Sequence, residues 1–119
     1  MNYNDYFDKT YDEREYNCVH FVCDLWEASG KGPGLRVALN GLMRPPVDRV
    51  FALSDLRRLN VHANPQEGLV AYMRRKGQVH VGVWTEGKIL HLSRDGVKLE
   101  PLETIKMSFT SVRFLSCKN

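Results

Sequence analysis

Apolar and polar positions follow two different rhythms along this chain, and the change falls near residue 68. Before it, Cys18, Phe21, Val22, Leu25 and Trp26 recur at the i, i+3, i+4, i+7, i+8 spacing of a buried helical stripe. The spacing predicts a helix from about Asn17 to Ala28, with Asn17 suited to cap its first turn. Ser29-Gly30-Lys31-Gly32-Pro33-Gly34 breaks it. Upstream, Tyr3, Tyr6, Tyr11 and Tyr16 suggest a lead-in that packs tyrosine rings beside the main helix. The 35–66 insert is less legible. Leu35 to Met43 predicts a short helix ending at Pro45-Pro46, Val47 to Leu59 a second, and His62 to Gly68 a loop.

After Gly68 the pattern turns to strands: Leu69–Met73, Val79–Trp84, Ile89–Ser93, Val97–Glu100 and Ser111–Leu115. Turns are expected at 74–78, 85–88 and 94–96. Helices first and an antiparallel meander afterwards predict one α+β domain over residues 1–119, its N-terminal helices packed on a roughly five-stranded antiparallel sheet.

A two-residue turn at Glu86-Gly87 sets Thr85 opposite Lys88 and Trp84 opposite Ile89. Alternation then puts His80, Gly82, His91 and Ser93 on one face and Val81, Val83, Leu90 and Leu92 on the other. Two imidazoles become near diagonal neighbours across a glycine that leaves room beside them.

Composition narrows the classes without choosing among them. With 119 residues, 43% hydrophobic and 26% charged, the chain has the make-up of one soluble globular domain. A net charge of +3 with scattered Lys and Arg is no nucleic-acid signature. No apolar run approaches the ~20 residues of a membrane span. The polar start, Met1 to Tyr6, predicts no signal peptide, hence synthesis in a cytoplasm. Three cysteines suggest free thiols rather than a disulfide scaffold.

Cys18 at the head of a helix feels the positive end of the dipole, which favours the thiolate. With His80 to take the thiol proton and His91 to hold His80 by its far nitrogen, the chain has the three parts that covalent catalysis needs. Cys23 is expected to be a buried thiol, Cys117 inert, and His20 a packing or solvent-facing residue. Cys18, His20 and Cys23 cannot converge on a tetrahedral ion from one helix, so no metal or other cofactor is expected.

These residues resemble the NlpC-type cell-wall endopeptidases, papain-like cysteine peptidases that cut peptidoglycan stem peptides. The family's Asp-Cys-Ser-Gly-Phe/Leu-Val is matched by Asn17-Cys18-Val19-His20-Phe21-Val22, and its Gly-Asp-Leu-Val strand by Gly68-Leu69-Val70. His80-Val81-Gly82-Val83-Trp84 matches His-Val-Gly-Ile-Tyr, and Leu90-His91-Leu92-Ser93 matches Ile-His-Ala-Ser. The resemblance implies Cys18 as nucleophile, His80 as base and His91 as third polar residue. It also implies an upstream tyrosine at the site, Tyr6 or Tyr11. Asn17 beside the thiol and Trp84 at a strand end, where it can line a groove, are expected as further substrate contacts. The flanks of Cys18 depart from the pattern at Asn17, Val19 and His20. The same stretch is similar to Asn-Cys-Glu-His-Phe-Val of the lecithin:retinol acyltransferase branch, but there the histidine strand precedes the helix.

The small size and lack of a signal peptide are similar to NlpC-type proteins of phage tail modules. The resemblance therefore implies a virion-associated hydrolase acting at the cell wall, with peptidoglycan as substrate and other tail proteins as partners. A non-enzymatic tail-tip assembly protein that keeps the fold is the competing expectation, and a papain-like acyltransferase or amidase the third.

Overall fold

The computed structural model describes residues 3–40 and 58–118. A short 3-10 turn at Tyr3–Tyr6 leads into a tight turn closed by reciprocal backbone bonds between Asp12 and Tyr16, both 2.9 Å. Helix α1 spans Cys18–Ala28 and α2 spans Gly34–Ala38. Six strands follow: β1 (Leu59–His62), β2 (Val70–Arg75), β3 (Gln78–Thr85), β4 (Lys88–Ser93), β5 (Gly96–Glu100) and β6 (Ser111–Cys117). Helix α3, Leu102–Ser108, joins β5 to β6. The strands form one antiparallel sheet in the order β1-β6-β2-β3-β4-β5.

The architecture is α+β as expected, with six strands among the described residues instead of about five. The additional one is β1, which pairs with β6 from Leu59↔Cys117 to His62↔Phe114. Its own sequence gave little signal, because Leu59 is buried while Val61 is 58% exposed. Pairing with a strand distant in sequence, rather than local periodicity, makes it a strand. The helix expected over Val47–Leu59 falls almost wholly outside the described residues, and its last residue opens β1. The helix expected from Leu35 is described as α2, which stops at Ala38. Helix α3 was not expected: it has seven residues, with Pro101 before it, Glu103 in its first turn and a single buried side chain, Ile105.

The hairpin register holds. Thr85↔Lys88, Trp84↔Ile89 and Val83↔Leu90 pair around a turn in which Glu86 and Gly87 take φ of 55° and 75°. Two successive positive φ values make the type I′ turn that matches strand twist.

Each face of the sheet has its own core. Helix α1, with Cys18, Phe21, Val22, Leu25 and Trp26, packs on Val70, Tyr72, Val81, Val83, Leu90 and Leu92. The tyrosines at 3, 6, 11 and 16 pack against the same cluster, as the lead-in predicted. On the reverse face, Ala71, Met73, Ile89 and Phe114 meet Ile105 of α3, with Phe109 and Trp84 at the margin.

Candidate active site

The first turn of α1 is held by a reciprocal cap. The Asn17 side-chain oxygen accepts from the Val19 and His20 N–H groups at 2.9 and 3.4 Å. In return His20 Nδ1 accepts the Asn17 N–H at 3.1 Å. This is a capping box with histidine in the place that glutamate or glutamine usually takes. His20 therefore has a role that its spacing three residues after Asn17 signals and that the sequence reading missed. Asn17 is fully buried, and its amide nitrogen donates to the Glu13 carbonyl at 3.1 Å. Its side chain is thus engaged in holding the first turn of the helix.

The cap leaves Cys18 as the first helical residue, 1% exposed. Burial pushes its thiol up to about 11, against the N–H groups of Val81, Cys18 and Val19, which favour the thiolate. Desolvation thus outweighs the helix dipole, and the resting sulfur carries its proton. β3 and β4 stop pairing after Val83↔Leu90, and there the Val81 N–H faces the sulfur. Of the two upstream tyrosines, Tyr11 is the one whose hydroxyl senses Cys18: burial raises its pKa first, and a thiolate charge would raise it further. Tyr6 packs edge-on against Phe21 at 6.5 Å.

The imidazoles stand on the reverse face. His80 Nε2 lies 2.8 Å from His91 Nδ1, with the rings at 85°. His91 Nε2 lies 2.7 Å from Glu100 Oε1. Phe109 stacks parallel to His80, 5.9 Å between centroids and 7° between planes. The structure therefore brings His80 and His91 together and adds Glu100. Among the described residues no hydrogen bond joins the Cys18 thiol to either ring. Glu100 was legible in principle: the two-residue Arg94-Asp95 turn pairs Ile89 with Glu100 and sets its side chain diagonal to His91.

The space that Gly82 leaves is not open. A Cβ there would meet Ile89 Cγ2 and the Leu90 carbonyl oxygen at 2.8 Å and His91 Cβ at 3.0 Å. The glycine permits close packing of β4 and gives no room to a ligand. Trp84 packs edge-on to Phe114 at 5.5 Å on the same face as the imidazoles. A cavity of about 420 Å³ opens at the tip of the β3–β4 hairpin, lined by Tyr3, Phe7, Glu67, Thr85 and Leu90.

Both imidazoles lie below their ordinary pKa. At His80 burial is the main cause, with His91 and Arg75 adding to it, and the value falls to about 3. At His91 burial again leads, opposed by Glu100. A folded-state value below the unfolded one means that the unfolded chain takes up protons first as pH drops. The stability contributed by neutral His80 is complete above about 6.5 and declines through the interval down to about 3. The urea midpoint is therefore expected to fall between pH 7 and 4.5, and to fall less in His80→Gln. Equal pH dependence in the two proteins would refute the assignment.

Among the described residues, no three or more His, Cys, Asp or Glu side chains gather as a metal site, and no helix is long and apolar enough to cross a membrane. Comparison with protein-family models and with curated proteins finds no match. The likeness to the NlpC-type peptidases accordingly rests on the residues quoted for it.

Proposed function

We propose that this chain is a cysteine hydrolase of the NlpC type, cleaving an amide bond in peptidoglycan stem peptides as a phage tail-associated component. The observation that carries the reading is the Glu100–His91–His80 series, joined at 2.7 and 2.8 Å and ending at His80, whose next residue, Val81, turns its N–H to the sulfur of Cys18. A half-buried imidazole held through its far nitrogen is the arrangement of an oriented general base. A capped helix N-terminus is the matching arrangement for a nucleophile and an oxyanion donor.

In the reaction the Cys18 sulfur attacks the amide carbon while its proton passes to His80. The Cys18 N–H holds the oxyanion. Protonated His80 gives its proton to the leaving amine, and a thioester remains. His80 then takes a proton from water, hydroxide displaces the sulfur, and a carboxylic acid and the free thiol are restored. Because the resting thiol is protonated, the nucleophile forms only by this transfer, which requires β3 to rearrange at His80–Val81, since sulfur and imidazole lie on opposite faces of the sheet. Acyl transfer would use the same residues with an amine or alcohol in place of water.

A second reading, a non-enzymatic part of a tail tip, is favoured by one feature, the near-complete burial of Cys18. The two are separated by incubating the protein with purified muropeptides before and after iodoacetamide. The hydrolase reading expects a new free amine, abolished when Cys18 is alkylated. No product from the unmodified protein, with Cys18 no more reactive than Cys23, would favour assembly.

A further inference from the structure

We infer that Glu100 is a positioning residue which, acting through His91, decides which nitrogen of His80 is left unprotonated. The catalytic consequence rests on the hydrolase reading, whereas the placement of the protons does not.

The derivation needs only the two contacts and the valence of an imidazole. A carboxylate accepts hydrogen bonds and cannot donate them. At 2.7 Å from Glu100 Oε1, the His91 Nε2 must therefore carry the hydrogen. A neutral imidazole has one N–H, so His91 Nδ1 is an acceptor. The group 2.8 Å away, His80 Nε2, must then be the donor. One N–H on His80 is thereby used, and the lone pair of that ring lies on Nδ1. The reverse assignment would set two lone pairs against each other at the carboxylate, in a site where His91 is 4% exposed.

The surroundings keep the rings neutral and in place. Burial disfavours the charged form of both. The charges that reach them are Arg75 of β2 at His80, and Lys98 and Glu100 of β5 at His91. Only the last is an acceptor. Phe109, following α3, covers the His80 ring face and limits its rotation. In the proposed reaction Nδ1 of His80 takes the thiol proton, while its Nε2–H continues to donate to His91.

The test is tautomer assignment by long-range proton–nitrogen NMR on the full chain with 15N-labelled histidine. Wild type is expected to show Nε2–H at both His80 and His91. In Glu100→Gln the side-chain NH2 can donate to His91 Nε2, so Nδ1–H forms are expected to appear at both rings together. With stem-peptide substrate, kcat is expected to fall about 10- to 100-fold with little change in KM. Wild-type Nδ1–H at either ring, or tautomers unchanged in Glu100→Gln, would overturn the inference. If that variant fails to fold, the wild-type spectrum decides by itself. A wild-type protein that hydrolyses nothing yet shows the coupled tautomer change removes the hydrolase reading and leaves Glu100's role standing.

Discussion

Cys18→Ala is expected to lower stem-peptide hydrolysis by about 10⁴-fold or more, since removing a nucleophile removes the covalent route. The variant should still fold. It deletes one sulfur from a core cluster, a truncation that costs on the order of 1 kcal/mol, and the Asn17–His20 cap does not use the Cys18 side chain. Circular dichroism and thermal melting of the same preparation separate loss of chemistry from loss of fold. Cys18→Ser sharpens the result: an alcohol is a far weaker nucleophile at neutral pH, so it too is expected to be nearly inactive while melting close to wild type. Full activity in a folded Cys18→Ala would end the hydrolase proposal.

Gly82→Ala is expected to destabilise the fold by about 1–3 kcal/mol, the usual range for forcing atoms into a filled space. Of the three atoms that a methyl group would meet, Ile89 Cγ2 ends an adjustable side chain, whereas His91 Cβ moves only with its backbone. The third is the Leu90 carbonyl oxygen, 2.8 Å away on the neighbouring strand. That oxygen cannot move without β4 moving, and β4 carries His91. The same substitution is therefore expected to loosen the 2.8 Å contact between the rings and to reduce turnover beyond the loss of folded protein. Thermal melting and the histidine spectra report the two effects separately. An unchanged melting temperature would show that β4 yields more easily than its packing implies.

Strand alternation was the most legible level of the fold. Val81, Val83, Leu90 and Leu92 on one side, with His80 and His91 on the other, follow from the Glu86-Gly87 turn and the period of two. The α1 stripe was equally plain, because Phe21, Val22, Leu25 and Trp26 are all buried on the face that meets the sheet. Less could be read where an element depends on a distant partner. β1 is a strand through its pairing with β6, and α3 packs through Ile105 against a face formed by residues from three strands. Neither has enough local periodicity to stand out from a loop.

The site divides in the same way. Residue order and turn chemistry alone place the two histidines on one sheet face and set Cys18 at the start of a capped helix. Which sheet face that helix covers is not a local property. It follows from the apolar side of the β3–β4 hairpin seeking the apolar stripe of α1, which puts Cys18 with the valines and leaves the imidazoles to α3 and Phe109. The charge state of the sulfur was decided there too. The helix dipole argued for a thiolate, but burial among those side chains holds the proton on Cys18. Glu100 lies between the two cases: the Arg94-Asp95 turn sets it diagonal to His91, but the 2.7 Å contact belongs to the packed sheet.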